Sequence, residues 1–560
     1  MGFFVFLLLL LVPVRAVQAV PVSLKNQAGA GKTASLQVTG SSAVAEQLQC
    51  NFRDVASRPG SPDRKRLNSQ LARFYAARGY QPVWTKPAMT AELIQAILEA
   101  ENDGLAADDY HIREIRELSS RPPSAPELQA KYDLLQSDAF LTLAYHLRFG
   151  KVDPVSLDPN WNLSDPVRRS ALEFRLQEAV SAGRIGAVLD ELRPRHQKYA
   201  DLKKGLARYR AIARAGGWQK IPEGETFRPG ARDRRIPQLR TRLQESGDFP
   251  GRVSDTSGVY TSVMADAVRR YQKRNGLEPD GVAGAATIRE LNISAEERVD
   301  QIRLNLERHR WFISDIEPTY ILVNIAGFTL NYVENGRYRW GTRVIVGQPY
   351  RETPVFKADM QYIVLNPEWV IPPTILAKDA LPAIRKSRSY LERKKLRVID
   401  SNGRVVSPSS IDWSQYTASN FPYRLQQSAG DHGALGRIKF MMPNKHVIYL
   451  HDTPGKDLFE KSTRTFSSGC IRVENPLDLA ELVLKDTLQW SRRNIEAAIA
   501  TGKTTTVSLP RRIPVFLLYL TAVAEGEEVF FREDVYGRDG SLLKALDTPV
   551  PDYKVESCGF

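Results

Sequence analysis

The hydrophobic period of this 560-residue chain changes from that of helices to that of strands near residue 318. Before that point, apolar residues recur at the spacing of one helix face, for example at Leu67, Leu71, Phe74 and Tyr75. After it, apolar and polar residues alternate, as in YILVNIAGFTLNYVENGRYRW, which breaks at the hairpin signal Glu334-Asn335-Gly336. We therefore predict a multidomain α+β protein that is helical in its first part and mostly β in its last.

The helical part is predicted to contain a scaffold, a small three-helix module and a basic linker helix. Residues 63–230 form the scaffold, with helices at 67–79, 90–104, 128–149, 167–182 and 187–215, the last broken at Pro194. Residues 233–294 form the three-helix module, and residues 295–317 form the linker helix. The scattered histidines of the scaffold are interpreted as structural: His111, His146 and His196.

The two ends of the chain are predicted to lie outside the folded domains. The apolar run at residues 3–14 would span ~18 Å as a helix, which is too short for a bilayer core of ~30 Å. We predict a signal peptide at 1–19, although no Lys or Arg precedes the apolar run. A flexible linker rich in Ala, Gly, Ser and Thr follows at 20–62, and residues 541–560 form a C-terminal tail.

The mostly β domain is predicted at 318–540, with its strands interrupted at 374–430. The interruption begins with a basic helical segment and is long for a connection inside a compact domain. We interpret it as a capping insertion, with a passive elaboration as the alternative.

The segment SSGCIRVEN, residues 467–475, holds one of only three cysteines, with no second cysteine nearby. Cys50 and Cys558 can pair, although nothing in the sequence demonstrates it. A free thiol has a pKa of ~8.5, so a nucleophilic cysteine needs a base and donors for the developing oxyanion. His451 lies nineteen residues before Cys470, at the end of the predicted strand VIYLHD. We therefore predict Cys470 as the nucleophile and His451 as its base.

Two parts of the chain resemble known families. Residues 233–293, with Leu243-Gln244, Tyr271-Gln272 and the turn Asp280-Gly281-Val282, resemble the three-helix peptidoglycan-binding module of cell-wall hydrolases. His451-Asp452-Thr453 and Ser467-Ser468-Gly469-Cys470-Ile471-Arg472, with the later Asn475, resemble the signature of the L,D-transpeptidases. Ser468 stands where most members have a second histidine, and it is typical of the large periplasmic branch of that family.

The resemblance implies a fold and a reaction. The fold is a helical scaffold, a peptidoglycan-binding module and a mostly β catalytic domain with a capping subdomain. The reaction is that of a cysteine acyltransferase, which forms 3-3 crosslinks between meso-diaminopimelate residues through a thioester and releases D-Ala from tetrapeptide stems. It implies acylation by carbapenems as well.

The resemblance also implies roles for the site residues. Cys470 and His451 are the catalytic pair, and the oxyanion hole is formed by backbone N–H groups at Gly469, Ser468 and Cys470. The expected substrate contacts are Arg472, Tyr449, Asn475, Trp369 and Ser467. No cofactor and no metal are expected, because the spacing of His432, His446, His451 and Cys470 matches no common zinc pattern.

Several functions remain open at this point. The same thioester can be passed to water, as in an L,D-carboxypeptidase, or to a lysine of an outer-membrane protein. A non-catalytic peptidoglycan-binding scaffold is a further alternative. The expected partners are peptidoglycan stem peptides and glycan in the periplasm, with other cell-wall synthesis enzymes as further candidates. The net charge of +14 fits nucleic acid as well as an acidic polymer, but no aromatic-basic motif supports nucleic acid. No stable membrane span is expected.

Overall fold

The computed structural model describes residues 40–53, 60–159, 161–163, 172–250, 256–313, 316–430, 432–486, 488–551, 553 and 555. The predicted signal peptide and Cys558 lie outside these residues. Among the residues that are described, no helix has both the length and the apolar character needed to cross a bilayer.

The scaffold is helical, as predicted. Its helices are α1 (Gly40–Cys50), α2 (Pro62–Ala77), α3 (Pro87–Glu99), α4 (Ile112–Ser120), α5 (Pro126–Phe149), α6 (Pro154–Leu157), α7 (Leu172–Ala182), α8 (Ile185–Glu191) and α9 (Gln197–Arg214). The long α5 is buried along most of its length and forms the centre of the scaffold core. The predicted break at Pro194 is confirmed, because it falls between α8 and α9.

The interpretation of residues 20–62 as a flexible linker is wrong at its described end. Residues 40–50 form α1, and Val44 and Leu48 on this helix are buried in the scaffold core. The two residues are four positions apart and therefore share one face of the helix. Because the segment is rich in small residues, its composition indicated a linker and not a helix with an apolar face.

The three-helix module contains α10 (Ile236–Glu245), α11 (Ser262–Arg274) and α12 (Ala285–Leu291) around its own apolar core. Gln272 connects α11 to the turn that precedes α12. Its side chain donates to the Asp280 carboxylate at 2.9 Å and to the Val282 carbonyl at 3.0 Å, and accepts from the Gly281 N–H at 2.9 Å. These bonds explain why a glutamine after a tyrosine accompanies an Asp-Gly-Val turn.

The helix predicted as a linker is buried between domains instead. This helix, α13 (Ala295–Phe312), begins with a capping box formed by Ser294 and Glu297. Near its end Arg310 is fully buried and forms an ion pair with Glu307, while its guanidinium also donates to the Tyr199 hydroxyl of α9 at 2.9 Å. A buried arginine requires such partners. The helix therefore fastens the catalytic domain to the scaffold.

The mostly β domain is built on a nine-stranded sheet with the order β11-β3-β12-β10-β9-β4-β13-β1-β2. Its strands are β1 (Tyr320–Asn324), β2 (Thr329–Glu334), β3 (Arg337–Gly347), β4 (Phe356–Leu365), β9 (Ile438–Met441), β10 (Leu450–His451), β11 (Thr465–Ser467), β12 (Ile471–Val473) and β13 (Thr505–Leu518). The predicted hairpin is confirmed: Asn335 and Gly336 have φ of 50° and 72° and join β2 to β3.

The capping insertion has its own core and its own small sheet. Its elements are α14 (Pro373–Ile375), α15 (Leu381–Lys386), α16 (Ser389–Arg393), β6 (Leu396–Ile399), β7 (Val405–Val406) and β8 (Arg424–Gln427), with a π-helical turn at Leu376–Ala380. The sheet order is β5-β8-β6-β7, where β5 (Trp369–Val370) precedes the predicted start of the insertion. Ile384, Val398, Trp413 and Leu425 are buried in a separate apolar cluster.

The C-terminal part contains α17 (Pro476–Leu484), α18 (Arg492–Ala500), β14 (Ala522–Glu525), β15 (Glu528–Phe531) and α19 (Asp539–Asp547). The hairpin of β14 and β15 is separate from the large sheet and packs with α9 and α13. The interpretation of 541–560 as a tail is wrong for its first part, because Leu542 and Leu546 of α19 are buried against Trp311. Further on, Tyr553 is also buried.

Candidate active site

One face of the large sheet carries the predicted catalytic histidine. The short strand β10 lies between β9 and β12, and His451 is paired with Lys439 on one side and Arg472 on the other. Side chains alternate between the faces of a sheet, so these three lie on the same face. The neighbouring residues Leu450, Phe440 and Ile471 point to the opposite face and are buried in the main core.

Cys470 lies one residue before β12, beside Tyr449, which lies one residue before β10. The sulfur is hydrogen-bonded to the Val447 carbonyl at 3.9 Å, and Cys470 is the free cysteine of the described residues. Cys50 is disulfide-bonded. Cys470 and His451 are therefore diagonal neighbours on one face, across the parallel pair of β10 and β12. No direct hydrogen bond joins the sulfur and the imidazole of these two described residues.

The loop that carries the thiol is held by hydrogen bonds on both sides. Gly469 has a φ of 116°, a conformation that favours glycine. The Ser467 hydroxyl donates to the Cys470 carbonyl at 2.6 Å and accepts from the Gly469 N–H at 3.0 Å. The Thr353 hydroxyl donates to the Gly469 carbonyl at 2.8 Å. The position of the sulfur is thus determined by the loop and by the segment after β3.

Burial raises the pKa of the Cys470 thiol above its usual value. Hydrogen bonding from the backbone N–H and the phenol of Tyr449, and the positive charges of Lys439 and Arg472, act in the opposite direction. The phenol remains protonated, because burial and the adjacent sulfur raise the pKa of Tyr449. The thiol is therefore protonated at neutral pH, and groups that stabilise a thiolate surround it.

His451 is a neutral base with one tautomer. Its Nδ1–H donates to the Asp452 carbonyl at 2.5 Å, which leaves the lone pair on Nε2. Burial and then the positive charge of Arg472 lower the pKa of His451 to about 3. The imidazole is therefore neutral, with its Nε2 lone pair available, at any pH above that value.

Two predicted roles do not fit the geometry. Ser467 is buried and its hydroxyl is used inside the loop, so it shapes the loop and does not face a substrate. The Gly469 N–H is already bonded to Ser467, so it is not free to stabilise an oxyanion. The amides of Ser468 and Cys470 have no acceptor among the described residues, and they are the available donors.

The structure places only some of the predicted substrate-contact residues near Cys470. Arg472 is near the sulfur, and its Nε is buried without a partner among the described residues. Trp369 lies on β5 of the capping sheet, and its side chain is near enough to Tyr449 to act on the pKa of the phenol. Asn475 is exposed, and its side chain donates to the Thr342 hydroxyl of β3 at 3.1 Å. This bond attaches Asn475 to β3.

The sequence did not indicate two cations of the site. Lys439 lies over the Tyr449 ring at 3.9 Å and opposite His451. A charged residue inside the apolar segment IKFMM was the signal for it. Arg351 donates to the Ser468 hydroxyl at 3.1 Å, and no local pattern marks this residue.

Two further features describe the surroundings. A cavity of about 560 Å³ is lined by residues at the ends of β9, β10 and β12, among them Arg437, Thr453 and Glu474. Among the described residues, no group of three or more His, Cys, Asp or Glu side chains could hold a metal ion.

Comparison with known families gives three matches along the chain. Residues 318–507 match the family described as the L,D-transpeptidase catalytic domain, called YkuD. Residues 69–206 match a family described as a scaffold domain, and residues 232–291 match one described as "Putative peptidoglycan binding domain".

A curated protein of Haemophilus influenzae, named "Putative L,D-transpeptidase", is 38% identical over 250 residues. The match covers 44% of this chain and 50% of that protein, so the chain spans about half the length of this curated relative.

Solved structures of L,D-transpeptidases are more distant. One from Mycobacterium smegmatis is 12% identical, with a TM-score of 0.18, and the match covers 36% of this chain and 58% of that chain. One from Xylanimonas cellulosilytica is 13% identical, with a TM-score of 0.16, and the match covers 53% of this chain and 99% of that chain. Similarity at this level does not define how the parts of the chain are arranged.

Proposed function

We propose that this chain is an L,D-transpeptidase that forms 3-3 crosslinks in peptidoglycan, because its residues 318–507 match the L,D-transpeptidase catalytic domain and its other parts match a peptidoglycan-binding domain and a scaffold domain. The donor is a tetrapeptide stem that ends in meso-diaminopimelate and D-Ala. The acceptor is the side-chain amine of a second diaminopimelate. The chain acts in this proposal as a cysteine acyltransferase located at the periplasmic cell wall after export.

In the first step, Cys470 attacks the carbonyl carbon of the amide between diaminopimelate and D-Ala. His451 Nε2 takes the thiol proton as the carbon–sulfur bond forms, and returns a proton to the amide nitrogen as the carbon–nitrogen bond breaks. The N–H groups of Ser468 and Cys470 stabilise the oxyanion. D-Ala leaves as a neutral amine, and a thioester remains on Cys470.

In the second step, the acceptor amine attacks the thioester. His451 takes a proton from the amine nitrogen and returns it to the departing sulfur, so that the thiol is restored and an amide is formed. A neutral imidazole is required at the start of both steps, and its low pKa provides one.

The single observation that carries the proposal is the surroundings of the free thiol. The Tyr449 phenol and the positive charges of Lys439 and Arg472 all act to lower the pKa of the thiol, so they stabilise a negative charge there. A cysteine that served only as a small apolar filler would not need a hydroxyl donor and two cations around it. The unpartnered Nε of Arg472 supports a further role in binding a substrate carboxylate.

The capping insertion supports a peptide substrate that is enclosed during the reaction. Trp369 of the capping sheet and the Cys470 thiol both act on the pKa of the Tyr449 phenol, so both lie near this side chain. This proximity supports a cap that covers a stem peptide at Cys470 and excludes water, which competes with the acceptor amine.

The test is the analysis of muropeptides after incubation of the purified full-length protein with sacculi, together with intact-mass measurement after carbapenem treatment. We expect 3-3 dimers and a carbapenem adduct with the wild-type protein, and neither with Cys470→Ala or with His451→Gln. The matched control for the histidine is His446→Gln, five residues away, whose ring packs on Phe356 at 4.9 Å.

The outcomes separate the alternative functions. Tripeptides without dimers indicate an L,D-carboxypeptidase, and label transfer to a protein lysine indicates an anchoring enzyme. Sacculus binding without any product indicates a non-catalytic scaffold. A carbapenem adduct on Cys470→Ala would refute the assigned nucleophile.

A further inference from the structure

Arg351 contacts two separate parts of the catalytic domain at once. Its guanidinium donates to the Ser468 hydroxyl, two residues from Cys470, at 3.1 Å. The same guanidinium forms a two-pronged pair with the Asp379 carboxylate, at 2.6 and 2.7 Å. Asp379 belongs to the π-helical turn of the capping insertion. A carboxylate is thus already bound beside the catalytic loop.

The turn that carries Arg351 is fixed to the loop of the nucleophile. The Gln348 N–H donates to the Ser467 carbonyl at 3.0 Å, and the Thr353 hydroxyl donates to the Gly469 carbonyl at 2.8 Å. These two bonds lie on either side of Arg351 in sequence. The backbone at Arg351 therefore has a defined position relative to the loop of Cys470.

Asp379 is attached to the loop of Cys470 less directly than Arg351 is, because its own bonds to this region pass through Arg351. It is provided by a subdomain with its own apolar core, and its side chain is 40% exposed. The Arg351 side chain is 16% exposed, so water reaches the pair from the side of Asp379. Exposed ion pairs contribute little stability, and another carboxylate can replace one partner with small net cost.

We propose that Arg351 binds the C-terminal carboxylate of the donor stem peptide, and that Asp379 occupies this position until the donor enters. The inference rests on the proposed function. The donor carboxylate belongs to D-Ala, one residue beyond the carbonyl that Cys470 attacks. Arg351 donates to the Ser468 hydroxyl, so its guanidinium lies beside the loop that carries Cys470. A planar guanidinium is suited to two-pronged recognition of a carboxylate.

The other nearby arginines are less suited to this role. Arg472 is paired in register with His451, so its charge faces the base. Arg538 is committed to Glu352, with its Nε at 3.1 Å from the carboxylate, and packs over Tyr519. Among these three arginines, Arg351 is the one whose carboxylate partner belongs to the capping insertion.

The experiment compares two donors in full-length protein. One is a disaccharide-tetrapeptide with its free D-Ala carboxylate, and the other is its C-terminal carboxamide. We measure kcat/KM for release of D-Ala or D-alaninamide. We expect the wild-type protein to prefer the carboxylate, and Arg351→Gln to lose on the order of 10- to 100-fold on the carboxylate donor alone. Arg351→Lys should recover part of the preference.

The second arm tests the role of Asp379. Asp379→Asn removes the competing carboxylate, so the KM for the carboxylate donor should fall by roughly 2- to 5-fold, with the carboxamide donor unaffected. The matched control is Arg397→Gln, which removes an exposed ion pair with Glu368 elsewhere on the capping subdomain. We expect Arg397→Gln to leave the KM for both donors unchanged.

The outcomes are distinct. Equal losses on both donors in Arg351→Gln, or no loss, would overturn the carboxylate role. An unchanged or higher KM in Asp379→Asn would overturn the competition. If the wild-type protein released the leaving group from neither donor, the proposed function would fail and this inference with it. Release without preference would overturn the inference alone.

Discussion

His451 lies directly opposite Arg472 on the neighbouring parallel strand, so a cation faces the base of the candidate active site. Together with burial, this charge holds the pKa of His451 to about 3. The thiol has a pKa above its usual value because it is buried. The resting pair is therefore a neutral thiol and a neutral imidazole, and the ion pair forms only while the substrate is attacked.

The first prediction concerns the acid limb of the pH–rate profile. A base that stays neutral down to about pH 3 gives no loss of kcat/KM for acylation as the pH falls through about 6.5, the ordinary histidine value. Replacing Arg472 by Met removes the facing charge, so the pKa of His451 rises and an acid limb moves toward neutral pH. The measurement is donor kcat/KM against pH.

The control for that profile is Arg511→Met, which removes a surface arginine near Glu334. It should leave the profile unchanged. An acid limb near pH 6.5 in the wild-type protein would contradict the assignment of a neutral, buried base.

The second prediction concerns stability. The pKa of His451 is lower in the folded state than in the unfolded state, so protons bind the unfolded state more readily. The stability due to this group is complete above about pH 6.5 and is lost as the pH falls toward about 3. Between pH 7 and pH 5, the unfolding free energy of the catalytic domain should fall by roughly 2 kcal/mol more in the wild type than in His451→Gln. Denaturant titration at both pH values measures the difference, and equal losses would refute it.

The third prediction concerns Thr353, whose hydroxyl donates to the Gly469 carbonyl and accepts from the Gly347 N–H at 2.9 Å. Thr353→Val keeps the volume but leaves two buried backbone groups unpaired, at a cost of about 1–3 kcal/mol. Because the loop of Cys470 loses a support, alkylation of the thiol by iodoacetamide should change in rate as well. Thr241→Val, on the exposed face of α10, is the control and should change neither measurement. Wild-type stability in Thr353→Val would show that the bridge is dispensable.

The fourth prediction concerns Gly436, which has a φ of 58° beside Asp452. A Cβ at this position would clash with the Asp452 carboxylate. That carboxylate cannot easily move away, because it accepts a hydrogen bond from the Arg437 N–H at 2.9 Å. Gly436→Ala should therefore cost more than the ~1–2 kcal/mol of the left-handed conformation alone. Because the Asp452 backbone orients His451, donor turnover should fall too.

The control for Gly436 is Gly403→Ala, where φ is 81° and nothing lies within 4 Å of an added Cβ. Gly403→Ala should lose only the stability that the left-handed conformation costs, and it should retain full activity. Equal destabilisation by the two substitutions, measured by thermal unfolding, would show that the Asp452 contact does not matter.

Much of the architecture could be predicted because it depends on local spacing. The period of 3.6 identified most of the scaffold helices, and the Asn335-Gly336 signal identified a hairpin. The prediction was wrong where local composition misled it. The segment 40–50 appeared to be a linker, and α13 appeared to be a connection, although its buried ion pair shows that it belongs to the core.

The candidate site was predictable only in part. Cys470, His451 and Arg472 lie in a short sequence pattern, and the structure places them on adjoining parallel strands. The expected role of Ser467 was wrong, because the direction of a hydroxyl in a tight loop depends on backbone torsions that residue types do not reveal.

By itself, the sequence determined the order of the helical and β parts and the candidate nucleophile and base, because each depends on neighbours in the chain. Only the tertiary structure decided which other groups surround the thiol. Arg351 and Ser468 are 117 residues apart and Thr353 and Gly469 are 116 apart, yet they are hydrogen-bonded. The reason is that β3 pairs with β11 and β12 across a sheet whose strand order does not follow the chain. The charge and the supports around Cys470 are therefore products of strand pairing, which local sequence spacing cannot specify.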